Sequence, residues 1–287
     1  MEETHYKRIS DITPVDGMLF SKGIDPITGK TVTIKTVLIE DTLEGLSSSI
    51  LGDFSLQHKN IVSLIDVQIK DKGVDFIYEH MDLNLKKLIY PPTESGQIIK
   101  PRLLKKILYQ VLSGVSYYHS NNIFHLEIKP RNVLIDMGTE EVKLGQGHMH
   151  NKSKAIKRWS SAPEILLGSP NYSASANIWS VGCMFVEMAI GKPIFNADKE
   201  FDTLSDIFSF FGMPNEETWP GVTALPQYAS ACKPHSEKAR KNLAESVSGM
   251  DPDGFRLVSK MLCMIPTARI SAQDALNDPY LKDAMNA

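Results

Sequence analysis

Residues 125–132 read His-Leu-Glu-Ile-Lys-Pro-Arg-Asn, gathering a carboxylate, an ammonium and a carboxamide in one short stretch. Glu127 is a carboxylate able to accept a proton from a hydroxyl. About a dozen residues on, Val142-Lys143-Leu144 runs into Gly145-Gln146-Gly147-His148, where no aspartate or glutamate occurs. Gln146 offers only a neutral oxygen, and His148 prefers softer metals than magnesium. Elsewhere Lys35 closes the run Val32-Thr33-Ile34-Lys35, and an acid, Glu164, follows Ala162-Pro163.

These residues need elements to hold them. Val32–Leu38 is β-branched and follows the turn signal Asp25-Pro26-Ile27-Thr28-Gly29-Lys30, which predicts a strand. Ile61–Val67 and Val74–Glu79 read as two more strands, separated by the charged turn Lys70-Asp71-Lys72-Gly73. From about residue 83 the apolar spacing turns helical. Leu103, Leu104, Ile107, Leu108, Val111, Leu112 and Val115 fall on one face of a long helix. Tyr172–Gly191 and Gly254–Met264 also read as helices, and a short one enters through Ser271 and closes before Pro279. A small sheet-rich part before a larger helical part predicts a bilobal α+β protein. The expectation is a single domain over 1–287, with lobes of about 1–80 and 83–287. No internal repeat or low-complexity tract interrupts it.

Composition narrows the class. The 287 residues are 42% hydrophobic and 23% charged, enough for two core-bearing lobes, and the net charge of −3 gives no reason to propose nucleic-acid or membrane-surface binding. Cys183, Cys232 and Cys263 show neither metal-ligand spacing nor a disulfide framework. The N-terminal residues are polar, without a signal-peptide stretch. The apolar region Ile178–Ile190 is broken by Ser180 and Glu187, so no membrane span is expected. Cytoplasmic or nuclear placement is the expectation.

Taken in order, several runs resemble a protein kinase of the cyclin-dependent group. Val32-Thr33-Ile34-Lys35 resembles V-A-I-K, and 125–132 resembles the catalytic loop H-R-D-L-K-P-x-N. Ala162-Pro163-Glu164 resembles A-P-E, and Asn177-Ile178-Trp179-Ser180-Val181-Gly182-Cys183 resembles D-I-W-S-x-G-C. Trp219-Pro220-Gly221-Val222, Ala268-Arg269-Ile270-Ser271-Ala272 and Asp82–Lys87 agree too, the last most closely with the plant cell-cycle form. The resemblance implies ATP and magnesium as cofactors. It makes Glu127 the proton acceptor, Lys129 a γ-phosphate contact and Asn132 a metal ligand. It puts Lys35, Asp53, Glu79 and Met81 at nucleotide-binding positions, and makes Glu164–Arg269 a buried structural ion pair.

The departures from that pattern bear on activity. The catalytic aspartate is Glu127, whose extra methylene moves its oxygens by roughly 1 Å. The metal-binding aspartate of D-F-G has no counterpart in 145–148. The glycine-rich register falls on Thr13–Phe20 with no glycine at its three glycine positions, which predicts a plain hairpin. Asp53 replaces the helix glutamate, and Ser47–Asp53 matches the cyclin-contacting helix poorly, so cyclin binding is not expected. The activation segment has no threonine, only Ser153, Ser160 and Ser161, and the three phosphate-clasping arginines are Gly52, Leu126 and Asn151. Asn177 replaces an aspartate that braces the catalytic loop, which implies a looser hold. Lys152, Lys154, Lys157 and Arg158 form a basic run, either a solvated loop or a contact for an acidic partner. Three readings follow: an inactive kinase-like protein that acts by binding protein partners, a weak serine/threonine kinase using Lys35, Glu127, Lys129 and Asn132, or a diverged duplicate without function.

Overall fold

A computed structural model describes residues 6–15, 18–38, 56–92, 96–125, 127–145, 160–197, 200–232 and 240–284. Its first part is an antiparallel sheet of β1 (Lys7–Arg8), β2 (Thr13–Val15), β3 (Met18–Ile24), β4 (Thr31–Leu38), β5 (Leu64–Lys70) and β6 (Gly73–Glu79). The order is β1-β3-β4-β6-β5, with β2 also paired to β3. The turn between β3 and β4 is built by Asp25. Its carboxylate accepts from the Ile27 N–H at 2.9 Å and the Thr28 hydroxyl at 2.6 Å, and Gly29 takes the left-handed conformation the turn needs.

Alternation along the strands gives this sheet two faces. On one face Val37, Val74, Phe76 and Tyr78 pack with Val62. On the other, Val32, Ile34 and Ile77 form a smaller cluster covered by Tyr6. Beside that cluster, Arg8 reaches both oxygens of Asp75 at 2.9 Å and donates to Thr36 at 2.9 Å. The chain ahead of β2 is therefore part of the sheet's packing.

The helical part comprises α1 (Leu85–Ile89), α2 (Pro101–Ser120), α3 (Pro163–Leu166), α4 (Ala174–Ile190), α5 (Glu200–Phe211), α6 (Tyr228–Ala231), α7 (Leu243–Ser246), α8 (Pro252–Met261) and α9 (Ala272–Leu276). The apolar stripe of α2 is buried as its spacing requires, from Leu104 to Val115. Helix α4 is buried almost all round, the mark of a central helix, and ends at Gly191 in the left-handed conformation. Asp251 caps α8 and Ser271 caps α9, each through its side-chain oxygen. Trp179 is fully buried, stacked on Phe195 at 6.0 Å and edge-on to Phe211 at 5.8 Å.

Several boundaries differ from the expectations: the helix expected over Gly254–Met264 runs Pro252–Met261, and that over Tyr172–Gly191 runs Ala174–Ile190. Ile61 makes only an isolated parallel bridge to Leu144, and the strand proper starts at Leu64. The helical part also holds a small antiparallel sheet, β7 (Leu83–Asn84), β8 (Val133–Asp136) and β9 (Glu141–Leu144). Strands of two to four residues are too short for a period of two to show. This sheet matters because it carries the candidate site. Leu144 N–H donates to the Asn60 carbonyl and its own carbonyl accepts from Val62 N–H, both at 2.9 Å, joining the two parts of the molecule. Gly114 of α2 permits the same close approach, since a Cβ there would lie 2.8 Å from the Asn60 carbonyl oxygen. No helix among the described residues is long and apolar enough to cross a membrane.

Candidate functional site

A cleft of about 1040 Å³ opens between the large sheet and the helical part. Its sheet wall includes Thr13, Pro14, Phe20, Thr33 and Lys35, and its other wall Asn132, Leu134 and Gly145. Lys35 is 4% exposed in β4, between Phe20 and Phe76 in register, with Nζ 6.0 Å from the Phe76 ring centre. Strands β2 and β3 pair regularly, Thr13 with Phe20, Pro14 with Leu19 and Val15 with Met18. Pro14 sits on an edge strand where its missing N–H is tolerated, and residues 16 and 17 lie outside the described residues.

Glu79 and Met81 line the cleft where the chain passes from one part to the other. The Glu79 carboxylate is engaged on both oxygens, by Lys143 Nζ at 2.8 Å and by the Ser63 N–H at 2.7 Å. Next to it runs a polar chain with no signal in the sequence. The Thr33 hydroxyl meets His80 Nδ1 at 2.8 Å, His80 Nε2 meets Asp82 Oδ1 at 3.0 Å, and Lys22 Nζ meets the same oxygen at 3.0 Å. Facing the Asp82 carboxylate, which can only accept, His80 Nε2 is the donor of that pair.

Glu127, Lys129 and Asn132 lie together at the start of β8, in a turn through Pro130–Asn132. Lys129 Nζ donates to Glu127 Oε1 at 2.6 Å. Asn132 Nδ2 donates to the Glu127 carbonyl at 2.8 Å and to Oε2 at 3.3 Å. The carboxylate, the ammonium and the amide thus turn toward one another. Glu127 is 8% exposed, so these are buried contacts.

His125 anchors the loop. Its Nδ1 accepts from the Glu127 N–H at 3.2 Å, which leaves the proton on Nε2 to donate to the Gly145 carbonyl at 2.7 Å. Burial pushes the imidazole pKa down from its ordinary 6.5. Asn177, fully buried on α4, grips the same residue. Its Nδ2 donates to the His125 carbonyl at 2.6 Å and the Tyr172 hydroxyl at 3.0 Å, and its Oδ1 accepts from the His125 N–H and from His119 Nε2. The expectation of a looser hold is corrected here: an amide both donates and accepts, so Asn177 braces both backbone groups of His125.

A family model for the protein kinase domain matches residues 20–281. The chain belongs to the protein kinase family. In this kinase domain the bilobal α+β architecture is that of the family, a curled sheet before a helical lobe. Within the helical lobe of the kinase domain, Arg269 forks onto Glu164, Nη1 to Oε1 at 2.8 Å and Nη2 to Oε2 at 3.1 Å. The guanidinium also donates to the Cys263 and Ser175 carbonyls and lies 5.2 Å from the Trp179 ring centre.

Asp53 and its pairing with Lys35 lie outside the described residues, as do Ser47–Asp53, Leu126, Gln146, His148 and the basic run 152–158. The structure brings together Lys35, Glu79, Met81 and Asn132 on one cleft, with Glu127 and Lys129 bonded to its floor. Glu164 and Arg269 lie apart from it, in the helical core.

Proposed function

We propose that this protein kinase family member is of the cyclin-dependent-kinase-like type, transfers no phosphoryl group, and acts by binding other proteins. One observation carries the reading: residues 145–148, where the family's metal-holding aspartate would stand, contain no acid. Phosphoryl transfer depends on magnesium neutralising charge on the phosphates, so the loss of that ligand weighs more than any other departure.

The donor set does not fit a magnesium–nucleotide complex. Within residues 145–148, Gln146 offers only a neutral oxygen. In the glycine-rich register the glycine positions are Thr13, Val15 and Met18, where close backbone approach to phosphate needs glycine. ATP and magnesium are therefore left out of the proposed function. Cyclin is also left out as a partner, because Ser47–Asp53 matches the cyclin-contacting helix poorly.

Two measurements test this. A thermal-shift series with ATP, with and without magnesium, is expected to show no stabilisation, where binding at a hundredfold excess over Kd would add about 2.7 kcal/mol. Labelling of a peptide from radioactive ATP, abolished by Lys35→Ala or Glu127→Ala, would establish the protein as a weak kinase and end the proposal.

A further inference from the structure

We propose that β5 is a self-recognition edge, along which two copies of this chain pair antiparallel about a two-fold axis through Gln68. The pairing goes beyond the function above and needs neither nucleotide nor metal.

Strand β5 ends the sheet order, so among the described residues no strand lies on its outer side. Its partner β6 follows after the two-residue turn Asp71-Lys72. A turn of that length closes on a hydrogen-bonded pair, here Lys70 with Gly73. Gln68, two residues back, then also spends its backbone groups on β6, and Val67 and Ile69 turn theirs to the open edge. One contact agrees with this: the Val67 N–H is met at 2.8 Å by the carboxylate of its own neighbour, Asp66. The edge carries apolar surface too, with Ile69 82% exposed. Unpaired edges are normally blunted by bulges, prolines or lysines. Here a bulge between Leu64 and Asp66 marks one end and Lys70 the other, and the register between them is self-complementary.

Paired about Gln68, Asp66 of one copy faces Lys70 of the other, twice over, and Val67 likewise faces Ile69. The Val67–Ile69 pairs exchange the outward backbone bonds. The Asp66–Lys70 pairs fall at the positions between, where facing side chains come closest. The faces agree as well: Asp66, Gln68 and Lys70 lie on one side of the sheet, Val67 and Ile69 on the other. Centred on Val67 instead, the pairing would set Asp66 against Gln68 and Lys70 against Leu64, with no opposite charges meeting. Charge therefore selects both the occupant, a second copy, and its register. Among the described residues neither charge is already neutralised. Asp66 accepts from Gln68 Nε2 at 3.4 Å and faces Tyr6, whose pKa burial and this carboxylate raise, but it has no cation. Lys70 is exposed and has no acid.

Sedimentation equilibrium of the full chain over a concentration series tests the inference. The expected result is a monomer–dimer equilibrium, weak as a single strand pair implies, that weakens further with salt. D66K and K70D each set like charges at both contacts and weaken association at least about tenfold. Mixing the two variants restores the dimer, because each brings the charge the other lacks, and D66K/K70D on one chain associates as the parent does. I69P removes an outward N–H, which an edge strand tolerates, and abolishes pairing while the monomer stays folded. If D66K melts early beside Tyr6, K70D and I69P carry the test. A monomer at every concentration, a dimer indifferent to K70D and I69P, or a mixture of folded K70D and D66K no tighter than either alone overturns the inference.

Discussion

The His125 imidazole donates from Nε2 to the Gly145 carbonyl at 2.7 Å. One buried ring thereby ties the loop ahead of Lys129 to the end of β9, and it does so only while neutral at Nδ1, which accepts from the Glu127 N–H.

Acid should loosen this arrangement. Burial lowers the pKa of His125 below 6.5 in the folded protein, and lowers those of His119 and His58 as well. Below about pH 6.5 the unfolded chain then binds more protons than the folded one. Stability is fully present above that value and lost as pH falls through the folded pKa values. Urea midpoints measured at about pH 7.5 and about pH 5.5 should therefore decrease on acidification, and an increase would contradict the assignment.

The Glu164–Arg269 fork is buried on both sides, so removing one partner strands the other charge. Arg269→Ala or Glu164→Ala should each cost about 3–5 kcal/mol of folding stability. Replacing both with apolar residues of similar volume should cost far less. Chemical denaturation of the three variants distinguishes this from a mere surface pair, for which all would be near neutral.

Asn177→Leu keeps the volume and deletes the bracing. Both backbone groups of His125 lose their partner on α4, at about 3 kcal/mol in all. Hydrogen exchange should rise at the His125 and Gly145 amides before it rises in α2. Uniform protection in the variant would show that the loop is held by something else.

Gly114→Ala sets two effects against each other. Alanine favours the helix by about 1 kcal/mol. Its Cβ would press to 2.9 Å on the Leu144 side chain and to 2.8 Å on the Asn60 carbonyl, a backbone contact that cannot swing away. Overpacking of this kind costs about 1–3 kcal/mol. The net expectation is a lowered melting temperature, and a raised one would mean that α2 shifts freely against β9.

Much of this was legible in the chain because it is written locally. The buried stripe of α2 follows from spacing, the cap at Ser271 from one side chain and the next turn, and the β4 strand carrying Lys35 from β-branching. Glu127, Lys129 and Asn132 fall within one turn, so their proximity is visible in sequence, although the direction in which they point is not. What stayed hidden depends on distant partners. Lys22, Thr33, His80 and Asp82 meet only because β3, β4 and the end of β6 are neighbours in the folded sheet. Asn177 misled for a different reason: a substitution that looks like the loss of an acid supplies a donor instead, and only the facing carbonyl of His125 reveals it.

The clasp that Tyr6 and Arg8 make over the first sheet has a practical consequence. The family match begins at residue 20, yet the cover of Val32, Ile34 and Ile77 comes from upstream of it. A fragment cut at the edge of the recognisable signature would leave a strip of bare aliphatic surface and an Asp75 without its Arg8 partner, inviting self-association. The cooperative unit of this protein is larger than the stretch by which its ancestry is recognised.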